Sequence, residues 1–302
     1  MRSTSDRQPG EYFLFDRKQS SLQRIGAARP WIDESKQGHR SFHRLSARDG
    51  LQIPVYVTTP PDATTQSRAA VLLVHGGPFL RGTDLDWHAE AQFFASRGYV
   101  VLEPEFRGSE GYGWRLFRAG WKQWGRAMED DLADTVQWAA KQGLIDAGRV
   151  CIVGGSYGGY ADLMGPIRSP GVYRCAVSLA GVTDIDLMYS VTWSDTSEDQ
   201  RRYGMPQLIG DRNQDAVALA RASPLQRVAE IKVPVLLVHG GVDRRVPIVH
   251  ASKFVAAARN AGVAIEELVY PDEGHGFADP TNHADYLTHV ERFLAKSLQE
   301  PQ

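Results

Sequence analysis

The chain has 302 residues, of which 42% are hydrophobic and 23% charged, with a formal net charge of −2. That balance supports a large core and offers no cationic excess for a polyanion, so nucleic acid is not expected as a partner. Purely apolar runs reach only about six residues, far short of a membrane span, and Met1 to Gly10 is polar without a signal-peptide core, so the expectation is a cytoplasmic protein with no membrane partner.

The first elements fall in residues 1–38, read as an N-terminal extension. Glu11 to Asp16 and Ser21 to Ile25 form a hairpin joined by Arg17 to Ser20. A hairpin bearing Tyr12, Phe13, Leu14 and Phe15 cannot bury both faces alone, so it is expected to pack on the following body or on a second copy, giving a homo-oligomer through the extension. From residue 39 to 302 one layered domain is expected. Phe42 to Ala47 and Leu51 to Thr58 read as an antiparallel hairpin, turned by Asp49-Gly50. The apolar run Ala69 to Val74 is a strand, Trp87 to Arg97 a helix and Tyr99 to Pro104 another strand. Trp114, Phe117, Trp121 and Trp124 recur at helical spacing and are read as a packed aromatic face, while Met128, Leu132, Val136 and Ala139 mark the stripe of the next helix.

Strands then follow at Arg149 to Val153, Val233 to Val238 and Ile265 to Tyr270, with helices over His250 to Gly262 and Asn282 to Leu298. Such alternation demands a mainly parallel sheet with helices on both faces. Gly181 to Lys232, long and without a clear strand, reads as a lid-like segment. Cys151 and Cys175 lie in neighbouring strands and are expected to behave as small buried hydrophobes, without a disulfide.

The chemistry concentrates where strands end. Ser156 stands in Gly154-Gly155-Ser156-Tyr157-Gly158-Gly159-Tyr160, directly after a strand. A serine hydroxyl is a poor nucleophile, so an enzyme must expose it, supply a base and stabilise the oxyanion. A Gly-x-Ser-x-Gly turn does the first, its glycines leaving room where strand and helix crowd together. Val233 to Val238 empties into His239-Gly240-Gly241-Val242-Asp243, and Ile265 to Tyr270 into a loop containing Gly274-His275-Gly276. The order serine, acid, histidine, each after a strand, is that of the α/β-hydrolase fold. Asp243 is therefore the acid, ahead of Asp272, Glu273, Asp184 and Asp186, and His275 the base. After Ala69 to Val74, the glycines of His75-Gly76-Gly77-Pro78 let backbone N–H groups approach a ligand, so Gly77 and Tyr157 are the expected oxyanion donors and His75 a wall residue. No cluster has metal-ligand spacing and the glycine-rich loops lack the Lys-Ser/Thr sequel of a phosphate loop, so neither metal nor cofactor is expected.

The blocks His75 to Pro78, Arg107 to Gly113, Gly154 to Tyr160, Asp243 to Pro247 and Gly274 to Phe277 together resemble the catalytic domain of the prolyl oligopeptidase family of serine peptidases, and most of all its acylaminoacyl peptidase branch. The resemblance implies a Ser156, Asp243, His275 acyl-enzyme mechanism cleaving short or N-acylated peptides. A carboxylesterase acting on small acyl esters is the alternative. Histidine rather than the tyrosine of the prolyl and dipeptidyl branches occupies position 75, so the oxyanion is expected to rely on main-chain donors. The family's β-propeller cannot fit in this length, and the resemblance makes the N-terminal hairpin a remnant of its last blade. By the same resemblance the lid-like segment walls an apolar pocket for the side chain before the cut bond, with Phe79, Val182, Ile185, Met188, Tyr189 and Trp193 as its lining and Leu80 near its rim. Because the base must start neutral, activity should fall on acidification through the range where an imidazole takes its proton.

Overall fold

The structure is a computed structural model describing residues 1–62 and 68–299. Among the described residues there are two sheets. The first is small: β1 (Arg2–Ser3), β2 (Glu11–Asp16) and β3 (Ser21–Ala27) in that order, all antiparallel. A short third strand therefore joins the expected hairpin. Hydrogen bonds tie it to the rest: Thr4 Oγ1 donates to Asp86, the Arg40 amide to Asp6 Oδ2, and Gln92 Nε2 to the Asp6 carbonyl.

The second sheet has eight strands, β4 (His39–Ser46), β5 (Gln52–Thr59), β6 (Arg68–Val74), β7 (Val100–Pro104), β8 (Ile145–Gly155), β9 (Cys175–Leu179), β10 (Val235–Gly240) and β11 (Ile265–Tyr270). They lie in the order β11-β10-β9-β8-β6-β7-β5-β4. The β4–β5 hairpin enters antiparallel, β5 runs antiparallel to β7, and every pairing from β7 across to β11 is parallel. Parallel strands need crossovers, and the helices in those connections, with one after the last strand, cover both faces. These are α1 (Ala89–Ala95), α2 (Trp114–Ala119), α3 (Ala127–Lys141), α4 (Tyr157–Arg168), α5 (Ile185–Ser190), α6 (Met205–Leu208), α7 (Ala216–Arg221), α8 (Val249–Asn260) and α9 (Pro280–Ser297). This is the α/β-hydrolase architecture expected from the motifs. All six residues of β10 and all five of β7 are buried, which is why Val235 to Val238 and Val100 to Leu102 read as unbroken apolar runs rather than alternating ones, while the buried Glu103 is paired with Arg40.

The chain leaves β6 in one direction, to β7, and returns on the other side of it as β8. At such a switch point the loops after adjacent strands diverge and open a crevice at the carboxyl edge. The loops after β6, β8, β10 and β11 carry the His75, Ser156, Asp243 and His275 segments to that edge.

One expectation is corrected. Cys151 and Cys175 are direct partners in the parallel register of β8 and β9, with Cα atoms 4.8 Å apart, and they form a disulfide. In-register neighbours fall inside the range a disulfide can bridge.

Candidate active site

Ser156 is held by the turn the sequence announces. It has φ 59° and ψ −116°, a region non-glycine residues rarely enter, and its amide donates to the Leu179 carbonyl of β9 at 2.9 Å. The turn is this tight because α4 begins at the next residue and comes down against β6: a Cβ on Gly154 or Gly158 would collide with the Val74 carbonyl. Every residue of α4 from Tyr157 to Ile167 is buried, so the helix carrying the nucleophile's neighbour is fixed on all sides.

Asp243 is 1% exposed. One carboxylate oxygen, Oδ1, accepts the amides of Arg245 (2.8 Å) and Val246 (2.9 Å), and the other, Oδ2, accepts Nδ1–H of His275 at 2.8 Å. Burial acts to raise the carboxyl, but the His275 and amide hydrogen bonds outweigh it and hold Asp243 below the usual carboxylate range. Arg245 does not pair with this carboxylate; its Nε donates to Asp195 instead. Bonding at Nδ1 leaves Nε2 of the His275 ring, which is 29% exposed, as the free acceptor. Ser156 and His275 line one cavity of about 420 Å³, and among the described residues the Ser156 hydroxyl makes no hydrogen bond.

Three of the four rival carboxylates have other partners. Glu273, two residues before the histidine, is buried and accepts the amides of Ala278 and Asp279 and the Asn282 side chain, which braces the loop bearing His275. Asp184 caps α5 by accepting the Asp186 amide, and Asp186 pairs with Arg212.

Gly76, Gly77 and Tyr157 line the cavity beside Ser156. A Cβ on Gly76 would lie 3.3 Å from the Ser156 Cβ, so the glycine loop passes directly over the nucleophile. Gly77 has φ +116°, and its amide and that of Tyr157, the first of α4, have no partner among the described residues. His75 is a wall. Its Nδ1–H donates to the Gly76 carbonyl (2.7 Å), Nε2 accepts from Ser109 (3.1 Å), and the ring stacks on Phe106 at 4.4 Å. Burial lowers its pKa to about 4, so it stays neutral.

The pocket lining is only partly as expected. Phe79, Val182 and Met188 line the cavity, with Leu80 at its edge. Ile185, Tyr189 and Trp193 do not. Ile185 sinks wholly into the core under α5, its amide held by Ser223 Oγ. The Tyr189 hydroxyl turns away to the Gly210 carbonyl. Trp193 lies beyond the end of α5 and is 54% exposed. In their place come Met205, Leu208 and Ile209, which the i, i+3, i+4 pattern around Met205-Pro206-Gln207-Leu208-Ile209 signalled. Trp124 also departs from the aromatic face to which its spacing assigned it. The chain turns after α2, and the Trp124 ring packs on Tyr157 and Tyr160, both at 4.7 Å, as a cavity wall.

Behind that wall Glu129 of α3 is fully buried. It accepts the Tyr157 hydroxyl at 3.0 Å on Oε1, while Oε2 has no partner among the described residues, and burial raises its pKa to about 8.

Comparison with known proteins agrees with this geometry. The profile described as the prolyl oligopeptidase family matches residues 85–301. Dipeptidyl aminopeptidase BIII of Pseudoxanthomonas mexicana is 35% identical, over 96% of this chain and 43% of its own length. Acylamino-acid-releasing enzyme 1 of Oryza sativa subsp. japonica is 24% identical, over 83% of this chain and 33% of its own. The crystal structure of a puromycin hydrolase superposes with a TM-score of 0.85 at 26% identity, covering 98% of this chain and 45% of the other. The chain thus spans less than half the length of each of these relatives. It belongs to the prolyl oligopeptidase family.

Proposed function

We propose that this member of the prolyl oligopeptidase family is a serine peptidase that cleaves short or N-acylated peptides through an acyl-enzyme at Ser156. The observation that carries the reading is the 2.8 Å hydrogen bond from His275 Nδ1–H to a buried Asp243, with the strained Ser156 turn opening into the same cavity. In this reaction His275 Nε2 takes the Ser156 proton as Oγ attacks the carbonyl carbon. The Gly77 and Tyr157 amides receive the oxyanion, and Asp243 holds the tautomer and stabilises the imidazolium. The protonated ring then gives its proton to the leaving amine, and water, activated by the same nitrogen, releases the acid and restores Ser156. An apolar group of the substrate fills the space between Phe79, Trp124, Val182, Met188 and Met205.

The relatives favour amide over ester substrates: they are named as a dipeptidyl aminopeptidase, an acylamino-acid-releasing enzyme and a puromycin hydrolase, so the carboxylesterase alternative draws no support from them. The proposal also includes association of copies through the apolar side chains exposed on β2 and β3. The test has two steps. A fluorophosphonate probe should label Ser156, and N-acylated aminoacyl p-nitroanilides should be turned over at rates that short p-nitrophenyl esters of equal acyl size do not explain by reactivity alone. An unlabelled wild-type protein would end the serine-hydrolase reading, and turnover confined to esters would end the peptidase reading.

A further inference from the structure

The aromatic lining of the cavity continues past Phe79. That ring meets Phe117 of α2 edge-on, with centroids 5.9 Å apart at 71°. Phe117 in turn touches Trp114 at 5.7 Å and Trp121 at 6.1 Å, and the two indoles meet each other at 5.5 Å and 85°. Four rings therefore run unbroken from the wall that faces Ser156 onto the outer surface. Leu116 anchors α2 in the core, while Trp114, two positions before it, is 61% exposed. Phe117 and Trp121 are half-buried. The far side of this shelf is fixed as well: the amide of Lys122, the residue after Trp121, donates to the carbonyl of Leu208, which lines the same cavity. Arg118 lies over the Trp121 ring at 5.9 Å.

Core packing does not explain a tryptophan left mostly in water at the end of a row of rings. A single exposed apolar side chain needs no explanation, but a rigid cluster that begins inside a substrate cavity is a surface prepared for contact. We propose that Trp114, Phe117 and Trp121 form an accessory subsite that stacks an aromatic ring of the substrate, carried on a residue beyond the group that fills the cavity. The substrate class is then a peptide with two apolar groups, at least the outer one aromatic. Rings add to each other through offset or edge-to-face contacts beyond the area they bury, and here three of the four partners are already held in place, so little ordering is required on binding.

The inference rests on the peptidase reading for its ligand, and its test uses a protein that cannot turn over. Calorimetric titration of Ser156→Ala with N-acetylated alanine peptides carrying two phenylalanines at each pairwise spacing should show one spacing bound about five- to tenfold more tightly than the rest. In the same background Trp114→Ala should abolish that gain. Trp114→Phe should keep most of it, which separates loss of the ring from loss of the fold, and Trp31→Ala, on the exposed N-terminal segment, should leave it intact. Equal affinity at every spacing, or a gain that survives Trp114→Ala, overturns the subsite. So does a size-exclusion shift caused by Trp114→Ala with no change in peptide binding, since the rings would then pack against another copy. Failure of the wild type to react with the fluorophosphonate would refute catalysis while leaving this binding result to stand or fall by itself.

Discussion

The two sheets of this molecule use similar residues to different ends. In the eight-stranded sheet the apolar side chains of β6, β7, β8 and β10 are covered on both faces by helices, and the loops at their carboxyl ends are pinned by hydrogen bonds into a site. In the three-stranded sheet β2 and β3 also carry apolar side chains, yet Leu14 is 57% and Ile25 64% exposed, and hydrogen bonds from Thr4 and Asp6 tether it to the body. Strand composition alone does not make a core; a covering layer does. The difference implies that perturbing the carboxyl edge of the large sheet changes chemistry, that perturbing the layer beneath it changes stability, and that removing the small sheet changes neither by much.

The sharpest break comes at the nucleophile. Ser156→Ala should lower kcat on an acylaminoacyl anilide by about 10⁶-fold while the melting temperature stays within a few degrees, because the hydroxyl makes no hydrogen bond among the described residues. Retained turnover would show that the large sheet's edge is not the site. Next in size is Asp243→Asn, which keeps the shape but cannot hold the Nδ1–H tautomer of His275. A loss of about 10⁴-fold in kcat is expected, and a loss under tenfold would show that the 2.8 Å bond to His275 is only structural.

One layer below, the effect turns to stability. The Glu129 carboxyl, raised by burial from the ordinary 4.5 to about 8, keeps a proton in the folded state that the unfolded chain releases. Stability should therefore decline as pH rises from about 4.5 to about 8 and level off above that. Glu129→Gln cannot ionise, so its advantage over wild type should grow across the same interval to about 2–5 kcal/mol, read from denaturant melts at pH 5 and 8.5. Parallel curves for the two proteins would refute a protonated Glu129. The smallest effect is expected for removal of residues 1–29: body stability should change by no more than about 2 kcal/mol, the worth of a few exposed or part-buried hydrogen bonds, with anilide turnover kept. By size-exclusion the shortened chain should run as a monomer and the full chain as a larger assembly. Identical behaviour of the two would remove the small sheet as an association surface.

Much of this was legible in the chain itself. The run Arg149 to Tyr160 specified a strand, a strained serine and a helix, because only glycine fits where α4 approaches Val74. The apolar run before Asp243 and the glycines around His275 likewise marked loops at strand ends. The lining was less legible. Helical spacing joins Trp121 to Trp124, but the chain leaves helical geometry after Ala119, and the two indoles part, one to the outer shelf and one to the cavity wall. The family resemblance also grouped Ile185, Met188 and Tyr189 in one pocket, whereas the neighbours of the short α5 sent one to the core, one to the cavity and one to a carbonyl.

The sequence alone determined which residues could do chemistry and in which order they reach strand ends, since local sterics and apolar runs are properties of short segments. Only the tertiary structure decided which of them meet. The order β11-β10-β9-β8-β6 is set by long-range pairing, and that pairing bridges Cys151 to Cys175, brings Asp243 against His275 rather than Glu273, and leaves Glu129 sealed behind the cavity wall. Contacts of this kind depend on what packs against a side chain from distant parts of the chain, and no local pattern encodes that.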